Sequence, residues 1–362
     1  MLKTGDFFAF GRPKRILCTW TSRSMKETIT IKEIARRLHI SPSTVSRALQ
    51  NNPRISPATR EAVHQMAGQL KYFPSTTARN LRRGKTGVFA MVLPEIRENF
   101  FSEVVNGVEE LAFGHQYTVA LYQSHDLFER ERQILSVLAA NQVDGVMLSV
   151  AKESQQFDHI QNLLDRRIPV VLFDRIPPRI ETHQVGCDME KGAYEATKWL
   201  ASRGFRRIAL LNGPHPLVAS EDRYRGYVRA LLEENLPVEN ALIKRVDLTP
   251  DDTARQMAQL LSTPHRPDAV LAFNDYVALD AMQVCRKQGL QINADISFVS
   301  FANLPLTAYM DHSPLASVEQ HPYQIGRTAV EILLSVTESG PDESAPAFQR
   351  VMLEPELVVR VE

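Results

Sequence analysis

The chain has 362 residues, of which 44% are hydrophobic and 23% are charged, a composition typical of folded domains and a length typical of two or three of them. No apolar run approaches the roughly 18 residues that a membrane helix needs, and no secretory signal is recognisable, so the sequence predicts a cytoplasmic protein that contacts no membrane. Cys18, Cys187 and Cys285 have neither the spacing of a disulfide framework nor that of a zinc cluster, and we therefore expect no bound metal.

The net charge of zero conceals two segments of opposite sign. Residues 26–87 hold twelve Lys and Arg but only three acids, a net charge of +9, and residues 1–25 add a further +4. The rest of the chain carries −13. A basic segment joined to an acidic one predicts that the basic part binds a polyanion, unless it is only a solvated basic face, which the pattern of its residues argues against.

Residues 26–74 are patterned as three short helices. Thr30 to Glu33 has the sequence of a capping box that opens the first helix. Ser41-Pro42 and Ser56-Pro57 each place a cap before a proline at the first helical position, and they open the second and third helices. Two short helices joined by about three residues form a helix-turn-helix unit, although a three-helix bundle can also dock onto a protein.

The second of these helices has a small, polar outer face. Ser43, Thr44 and Arg47 lie opposite its apolar stripe, a composition that lets a helix approach base edges in the major groove. The hydroxyls of Ser41 and Thr44 suit phosphate oxygens, and the Arg47 guanidinium suits two parallel hydrogen bonds to a guanine edge. The pattern therefore predicts a helix that reads DNA.

Two segments that flank this head lack the apolar residues of a folded core. Residues 75–86 are short and basic, and a helix of this kind is marginal in isolation. We expect it to fold only against DNA and the same segment of a second subunit. Residues 1–25 show no usable periodicity and are predicted to be a disordered extension, with a basic arm that contacts phosphates or an upstream start codon as the alternatives.

Residues 28–83 resemble the DNA-binding head of the LacI/GalR family of repressors, with spacing that agrees without a gap. The matching segments are Ile31–Ala35, Ile40-Ser41, Thr44–Leu49, Ser56 with Thr59-Arg60 and Val63, Tyr72 with Pro74, and Ala78-Arg79 with Leu81. In that family the second helix reads bases and a hinge leucine enters the minor groove, roles that fall here on Pro42, Ser43, Arg47 and Leu81. His39 stands where the family usually has glycine, in a turn whose left-handed backbone histidine tolerates. The predicted DNA-binding residues are Ser41, Pro42, Ser43, Thr44, Arg47, Thr59, Ala78, Leu81 and Arg82.

From residue 87 onward, buried apolar runs alternate with amphipathic helices. This alternation predicts parallel sheets with helices on both faces. About 275 residues are too many for one sheet, so two lobes are expected. No dinucleotide-binding, phosphate-loop or nucleophile-elbow motif occurs, and the sequence therefore predicts neither a cofactor nor an enzyme.

This acidic part resembles the effector domain of the same family, which is related to periplasmic sugar-binding proteins. The matching segments are Val143–Val146, Pro169–Arg175, Arg223–Tyr227, Pro267–Val270, Asn274-Asp275 with Val277-Ala278, and Ser317–Gln320. The resemblance implies a ligand in the cleft between two lobes, at the carboxyl ends of the strands. The residues that it places there are Phe100, Phe101, Asp174, Arg223, Asn274, Asn303 and Gln320. Ala302 stands where sugar-binding members commonly have aspartate, which argues against a simple hexose unless Asn303 replaces that residue.

Each cleft residue also has a structural alternative. The two phenylalanines suit the core at a helix start, and Asp174 suits a loop cap. Arg223 has Glu221 and Asp222 as neighbouring ion-pair partners, although its fit to hydroxyls or to a carboxylate makes it the strongest ligand candidate. Asn274-Asp275 suits a helix N-cap.

The expected architecture is an all-α helix-turn-helix head plus an α/β two-lobed periplasmic-binding-protein-like domain of two Rossmann-like parallel sheets. The expected boundaries are 1–25 for the extension, 26–74 for the head, 75–86 for the hinge, and 87–362 for the effector-binding and dimerisation domain, with a first lobe at 87–186 and 317–340 and a second at 187–316 and 341–362. The function implied is a transcriptional regulator, most simply a repressor, that binds a pseudo-palindromic double-stranded operator as a homodimer and responds to a sugar or sugar derivative. A tetramer is left open. A small-molecule binding protein without a DNA role and a metabolic α/β enzyme are the alternatives.

Overall fold

The computed structural model describes residues 30–72, 85–177, 180–215, 217–338 and 347–360. The chain divides into two compact units between residues 79 and 80. The expected extension at 1–25 and the expected hinge residues Ala78, Leu81 and Arg82 lie outside the described residues. None of the described helices is long and apolar enough to cross a membrane.

Three helices form the described part of the first unit: α1 (Ile31–Arg37), α2 (Pro42–Leu49) and α3 (Pro57–Gln69). The hydroxyls of Ser41 and Ser56 cap α2 and α3 as predicted, because each accepts a hydrogen bond from the backbone N–H three residues on. His39 lies in the turn between α1 and α2 with a φ of 52°, the left-handed conformation expected of it. The helices pack around a small apolar core of Ile34, Ala35, Val45, Ala48, Val63 and Ala67.

The predicted capping box at the start of α1 does not form. Thr30 is the N-cap residue, but its side chain makes no capping hydrogen bond. The Glu33 carboxylate instead accepts hydrogen bonds from Arg36 and Arg37, which hold its pKa at about 2. Hydrogen bonds between two charged groups are stronger than one to a neutral backbone amide, and Glu33 therefore turns toward the arginines.

The second unit contains two six-stranded sheets, one in each lobe. The first sheet consists of β1 (Val88–Leu93), β2 (Thr118–Gln123), β3 (Gly145–Leu148), β4 (Val170–Phe173), β5 (His183–Cys187) and β11 (Arg350–Leu353), in the order β11-β5-β4-β3-β1-β2. The second consists of β6 (Ile208–Asn212), β7 (Ile243–Arg245), β8 (Ala269–Ala272), β9 (Ser297–Phe301), β10 (Ala316–Glu319) and β12 (Glu356–Val359), in the order β12-β10-β9-β8-β6-β7. The pairing of β10 with β12 is antiparallel, and the others in these sheets are parallel. The interior strands are buried along their length, as parallel sheets covered on both faces require.

Among the described residues, eight helices cover these sheets: α4 (Asn99–Gly114), α5 (Phe128–Asn141), α6 (Asp158–Asp165), α7 (Met189–Ser202), α8 (Val218–Glu233), α9 (Pro250–Leu261), α10 (Asp275–Lys287) and α11 (Pro322–Glu338). One close helix pair in each lobe crosses at a glycine. A Cβ at Gly107 of α4 would lie 2.1 Å from the Tyr323 carbonyl oxygen of α11, and one at Gly226 of α8 would lie 2.1 Å from the Glu190 carbonyl oxygen of α7. Since α4 and α8 begin at the cleft, these contacts help to position the residues at their amino ends.

The lobe boundaries differ from those expected at two of the three places where the chain crosses between lobes. Strand β10 belongs to the second sheet, so the return to the first lobe comes after Glu319 and not at residue 317. Strand β11 belongs to the first sheet, although the sequence assigned 341–362 to the second lobe. Apolar runs reveal that a strand exists, but its partner strand decides which sheet it joins, and that partner is remote in sequence.

Gly226→Ala tests the crossing of α7 and α8. The added methyl would lie 2.1 Å from the Glu190 oxygen and 2.8 Å from the Tyr194 nitrogen, both backbone atoms, so one helix must move. We expect a loss of at least about 1–3 kcal/mol in the free energy of unfolding, measured by urea denaturation. Gly114→Ala is the control, because nothing lies within 4 Å of its Cβ, and it should be neutral or slightly stabilising. Equal unfolding free energies for the two variants would contradict the close crossing.

Candidate functional site

The outer face of α2 is exposed and polar. Pro42, Ser43 and Arg47 are exposed, while Val45 and Ala48 on the opposite side are fully buried in the core of the unit. Within residues 30–72, no group hydrogen-bonds to the Arg47 guanidinium. An arginine that is exposed on a helix and makes no bond within its own domain is available to an external acceptor such as a guanine edge.

Hydroxyl groups cluster at the amino end of α2. The Ser41 Oγ lies 2.8 Å from both the Ser43 Oγ and the Thr44 Oγ1, and it accepts a hydrogen bond from the Thr44 backbone. Thr59 occupies the equivalent position on α3, with its Oγ1 2.8 Å from the Ser56 Oγ. Hydroxyls and backbone N–H groups at helix starts are common ligands of DNA phosphates. The structure thus brings five of the predicted DNA-binding residues together at the start and outer face of α2 and places Thr59 on a separate helix.

A cavity of about 60 Å³, here called the inner chamber, lies in the cleft between the two lobes. Six of the seven residues that the sequence placed in the cleft line it: Phe100, Phe101, Asp174, Arg223, Asn274 and Gln320. Asn303 does not line it. The Asn303 amide donates to Glu319 (2.9 Å) and accepts from Arg360 (2.8 Å) on the other side of the loop that follows β9. Ala302 and Asn303 both have positive φ values, 88° and 46°, and this tight turn accompanies the placement of the Asn303 side chain away from the chamber.

Arg223 carries a buried charge in the inner chamber. It is only 4% exposed, and its guanidinium lies 4.1 Å and 4.3 Å from the ring centroids of Phe273 and Phe301. One nitrogen donates to the Ala219 carbonyl (3.1 Å), but Nε is buried with no hydrogen-bond partner. Burial lowers the pKa of this group to about 10. The two rings hold the guanidinium plane, so an acceptor must approach Arg223 at its edge.

Arg223 does not form the ion pair with Glu221 or Asp222 that was the structural alternative for it. Asp222 pairs with Arg225, and the Glu221 carboxylate lies 3.9 Å from Arg245. Arg223 therefore has no carboxylate within ion-pair distance among the described residues. A buried charge with an unmade hydrogen bond is unfavourable by itself, and the arrangement favours a group that acquires its partner from a ligand.

Two carboxyl groups and a second guanidinium share the inner chamber with Arg223. Burial raises the pKa of both Asp174 and Glu98. Arg175 forms an ion pair with Asp126, and its Nε lies 3.8 Å from an Asp174 oxygen. Donors and acceptors thus face the same space as three phenyl rings, which suits a ligand with hydroxyls and an apolar face. Among the described residues, no group of three His, Cys, Asp or Glu is arranged to hold a metal ion.

The sequence did not single out Glu98, Arg175, Phe273 or Tyr276, although all four line the chamber. Each lies within two residues of a position that it did single out, at the end of a strand or the start of a helix. That proximity was the available signal, since loops at the carboxyl ends of parallel strands contribute several neighbouring side chains to a cleft.

Asn274 and Asp275 have largely structural roles at the start of α10. The Asn274 side chain caps the helix by accepting from the Val277 backbone (2.9 Å), while it also lines the chamber. Asp275 is fully buried and does not line the chamber. Its carboxylate accepts from the Ser300 and Ser317 hydroxyls, from the Leu304 backbone (2.6 Å) and from Arg360 (3.4 Å).

Two family models match the chain. Residues 86–348 match the model described as periplasmic binding proteins and sugar binding domain of the LacI family, and residues 30–75 match that of bacterial regulatory proteins of the lacI family. The transcriptional repressor CytR of Escherichia coli K12 is 31% identical over 313 residues, which are 86% of this chain and 91% of CytR. The repressor PurR of Vibrio atlanticus is 32% identical over 333 residues, which are 91% of this chain and 97% of PurR.

The structure is also similar to solved structures. A complex of the transcriptional regulator CelR with cellobiose has a TM-score of 0.68 and 28% identity over 91% of this chain and 98% of CelR. The lac repressor dimer bound to operator and the anti-inducer ONPF has a TM-score of 0.80 over 93% of this chain and 100% of that one. At 22% identity the second likeness concerns the fold alone.

Arg223→Met and Asp275→Asn should have opposite effects on the unliganded protein. Methionine removes a buried charge and an unmade hydrogen bond, so we expect the free energy of unfolding to stay the same or rise. Asparagine removes the negative charge that faces Arg360 and one of the two oxygens that accept the hydrogen bonds of Asp275, and we expect a loss of about 3–5 kcal/mol. Denaturant unfolding of both variants measures the contrast. A loss for Arg223→Met as large as that for Asp275→Asn would mean that Arg223 is structural.

Proposed function

The chain belongs to the LacI family of bacterial regulatory proteins. From this premise we propose that it is a repressor which binds a pseudo-palindromic operator as a homodimer. Its affinity for the operator falls or rises when a small molecule enters the cleft. The observation that carries the DNA-binding half is the exposed outer face of α2, where the Arg47 guanidinium has no hydrogen-bond partner among residues 30–72 and lies on the same helix as a hydroxyl cluster. This face belongs to a segment with a net charge of +9, which attracts a phosphate backbone.

A homodimer follows from the size of the reading surface. Helix α2 has eight residues, and one such helix contacts few base pairs, so useful specificity requires two half-sites and two copies. The second unit also exposes large apolar side chains, Phe113 at 76% and Tyr309 at 87%, that a second copy can cover. A measurement of the mass in solution would distinguish this dimer from a tetramer built from two such dimers.

The ligand that we propose is a sugar or sugar derivative. Arg223 supplies donors, Asp174 and Glu98 supply acceptors, and Phe100 and Phe101 supply flat apolar surface, which together suit a ring that carries hydroxyls. The solved regulator CelR contains cellobiose, which supports this class. The inner chamber has a volume of about 60 Å³, which is room for roughly two waters. A sugar is larger than this, so the lobes or the side chains have to move apart when it binds.

That movement is the proposed link between ligand and DNA. A ligand shifts the protein between two arrangements of the lobes only through its different affinity for each of them. In this proposal the spacing of the lobes sets the separation of the two copies of residues 75–86, and hence the ease with which Leu81 reaches the minor groove. We also propose that the protein acts in the cytoplasm, where the chromosome lies, as a regulator and not as an enzyme.

Arg47→Ala should relax base preference. Loss of a two-bond contact to guanine is expected to remove about 1–3 kcal/mol of discrimination between an operator selected from random duplexes and a scrambled duplex. Titrations of both duplexes at one salt concentration measure it. Arg54→Ala, which removes the same charge outside α2, is the control and should change the two affinities alike. If Arg47→Ala also weakens both duplexes equally, Arg47 contacts phosphate and not a base.

Arg223→Ala should separate ligand sensing from DNA binding. Operator affinity without ligand is expected to stay within about twofold of the parent, because Arg223 belongs to the other unit. The response to a compound found by a thermal-shift panel of sugars, sugar acids, sugar phosphates and nucleobases should be lost. Operator titration with and without the compound, together with calorimetry, measures both effects. A variant that still binds the compound normally would remove the cleft from the proposal.

A further inference from the structure

A second cavity adjoins the inner chamber and opens the cleft outward. This outer chamber has a volume of about 360 Å³ and shares Arg175 and Leu217 with the inner chamber. The first lobe contributes the loop that runs from Val150 to Phe157, and the second contributes His215 and Val218. Because the two chambers share walls and both lie between the lobes, one elongated ligand can occupy both.

The two chambers differ in charge. Glu98 and Asp174 oppose Arg175 and Arg223 around the inner chamber, so basic and acidic groups are matched there. Lys152, Arg175 and His215 line the outer chamber, and no Asp or Glu is among the described residues that line it. Asp126 already pairs with Arg175, so the surplus positive charge of the outer chamber comes from Lys152.

The Lys152 ammonium forms no ion pair or hydrogen bond with any described residue. It lies close enough to the opposite lobe to act on Asp247: the Thr249 hydroxyl is the main cause of the lowered pKa of that carboxyl, and the Lys152 charge adds to it. Lys152 therefore faces the second lobe across the cleft, and no described carboxylate lies within ion-pair distance of its ammonium.

The loop that carries Lys152 is held in place from behind. The fully buried Glu131 carboxylate accepts hydrogen bonds from the Ala151 backbone (2.5 Å), the Ser154 hydroxyl (2.7 Å) and His159 (2.8 Å). The Lys152 backbone donates to Asp126 (3.0 Å). A loop fixed by buried, fully paired groups presents its outward side chain in a defined position, as a binding site requires.

We propose that the effector carries an oxyanion, a carboxylate or a phosphate, at one end, and that Lys152 binds this group in the outer chamber while the uncharged polar body of the effector occupies the inner chamber. The proposal rests on the proposed function of the cleft and narrows its ligand to sugar acids and sugar phosphates.

Matched ligand sets test the proposal by calorimetry on the full chain: glucose, glucuronate and glucose 6-phosphate, and ribose with ribose 5-phosphate. In at least one set a charged member should bind about tenfold or more tightly than its neutral counterpart, and the carboxylate and phosphate arms distinguish the two oxyanions. Lys152→Met should lower the affinity for that charged member about tenfold and leave the neutral member unchanged. Lys287→Met, which removes a charge from an exposed position on α10, should change neither.

Neutral sugars that bind as tightly as their acids and phosphates would overturn the oxyanion assignment and leave the cleft as the effector site. A Lys152→Met variant that loses charged and neutral members alike, or loses neither, would also overturn it. Arg223→Ala distinguishes failure of the underlying function, since it should abolish binding of both members of a set. If the Arg223→Ala variant still binds both members of a set, the cleft is not the effector site, and the assignment of the oxyanion to Lys152 fails with it.

Discussion

The fully buried carboxylate of Asp275 holds together several of the elements that contribute residues to the cleft. Its carboxylate accepts from hydroxyls on β9 and β10, from the backbone of Leu304 and from Arg360 beyond β12. A buried carboxylate is stable only when its acceptor sites are filled, so these elements have to be in register together. The loops after β9 and β10 that contribute Ala302, Leu304 and Gln320 to the inner chamber are therefore positioned by a residue that does not line it.

Arg223, by contrast, is buried without a full set of hydrogen-bond partners. It is nearly as buried as Asp275, yet it has one protein hydrogen bond, two aromatic faces and an unmade hydrogen bond at Nε. In the function proposed above, a ligand supplies the acceptor that this guanidinium lacks. Residues whose local arrangement costs stability without a partner are concentrated at functional sites, and the contrast with the fully paired Asp275 is one reason to propose Arg223 as a ligand contact.

The head follows a simpler logic, in which one apolar stripe leaves one face free. Val45 and Ala48 face the core of the first unit, and helix periodicity then directs Ser43 and Arg47 outward. Ser41 begins α2 and at the same time contributes to the hydroxyl cluster at its start. The local capping interaction and the proposed phosphate contact thus use the same few residues, so the sequence motif is recognisable over a short span.

Features that depend on residues close together in the chain are the ones that the sequence by itself determined. Helix starts at Ser41 and Ser56, the left-handed turn at His39 and the alternation of strands and helices depend on neighbours within a few residues, and the structure has all of them. Six of the seven residues that the sequence placed in the cleft also line the inner chamber, because their motifs end strands or start helices and these ends meet at one crevice.

Only the tertiary structure decided the features that depend on partners remote in the chain. Glu33 bonds to arginines in place of closing a capping box, and Asn303 turns toward Arg360, 57 residues away, and not into the inner chamber. The sheet that β11 joins, the lack of an ion pair between Arg223 and any described carboxylate, and the basic outer chamber around Lys152 likewise follow from contacts between separate elements. A local pattern specifies which surface of an element is apolar, but the competition among distant charges and strands for partners is resolved only when the chain is packed.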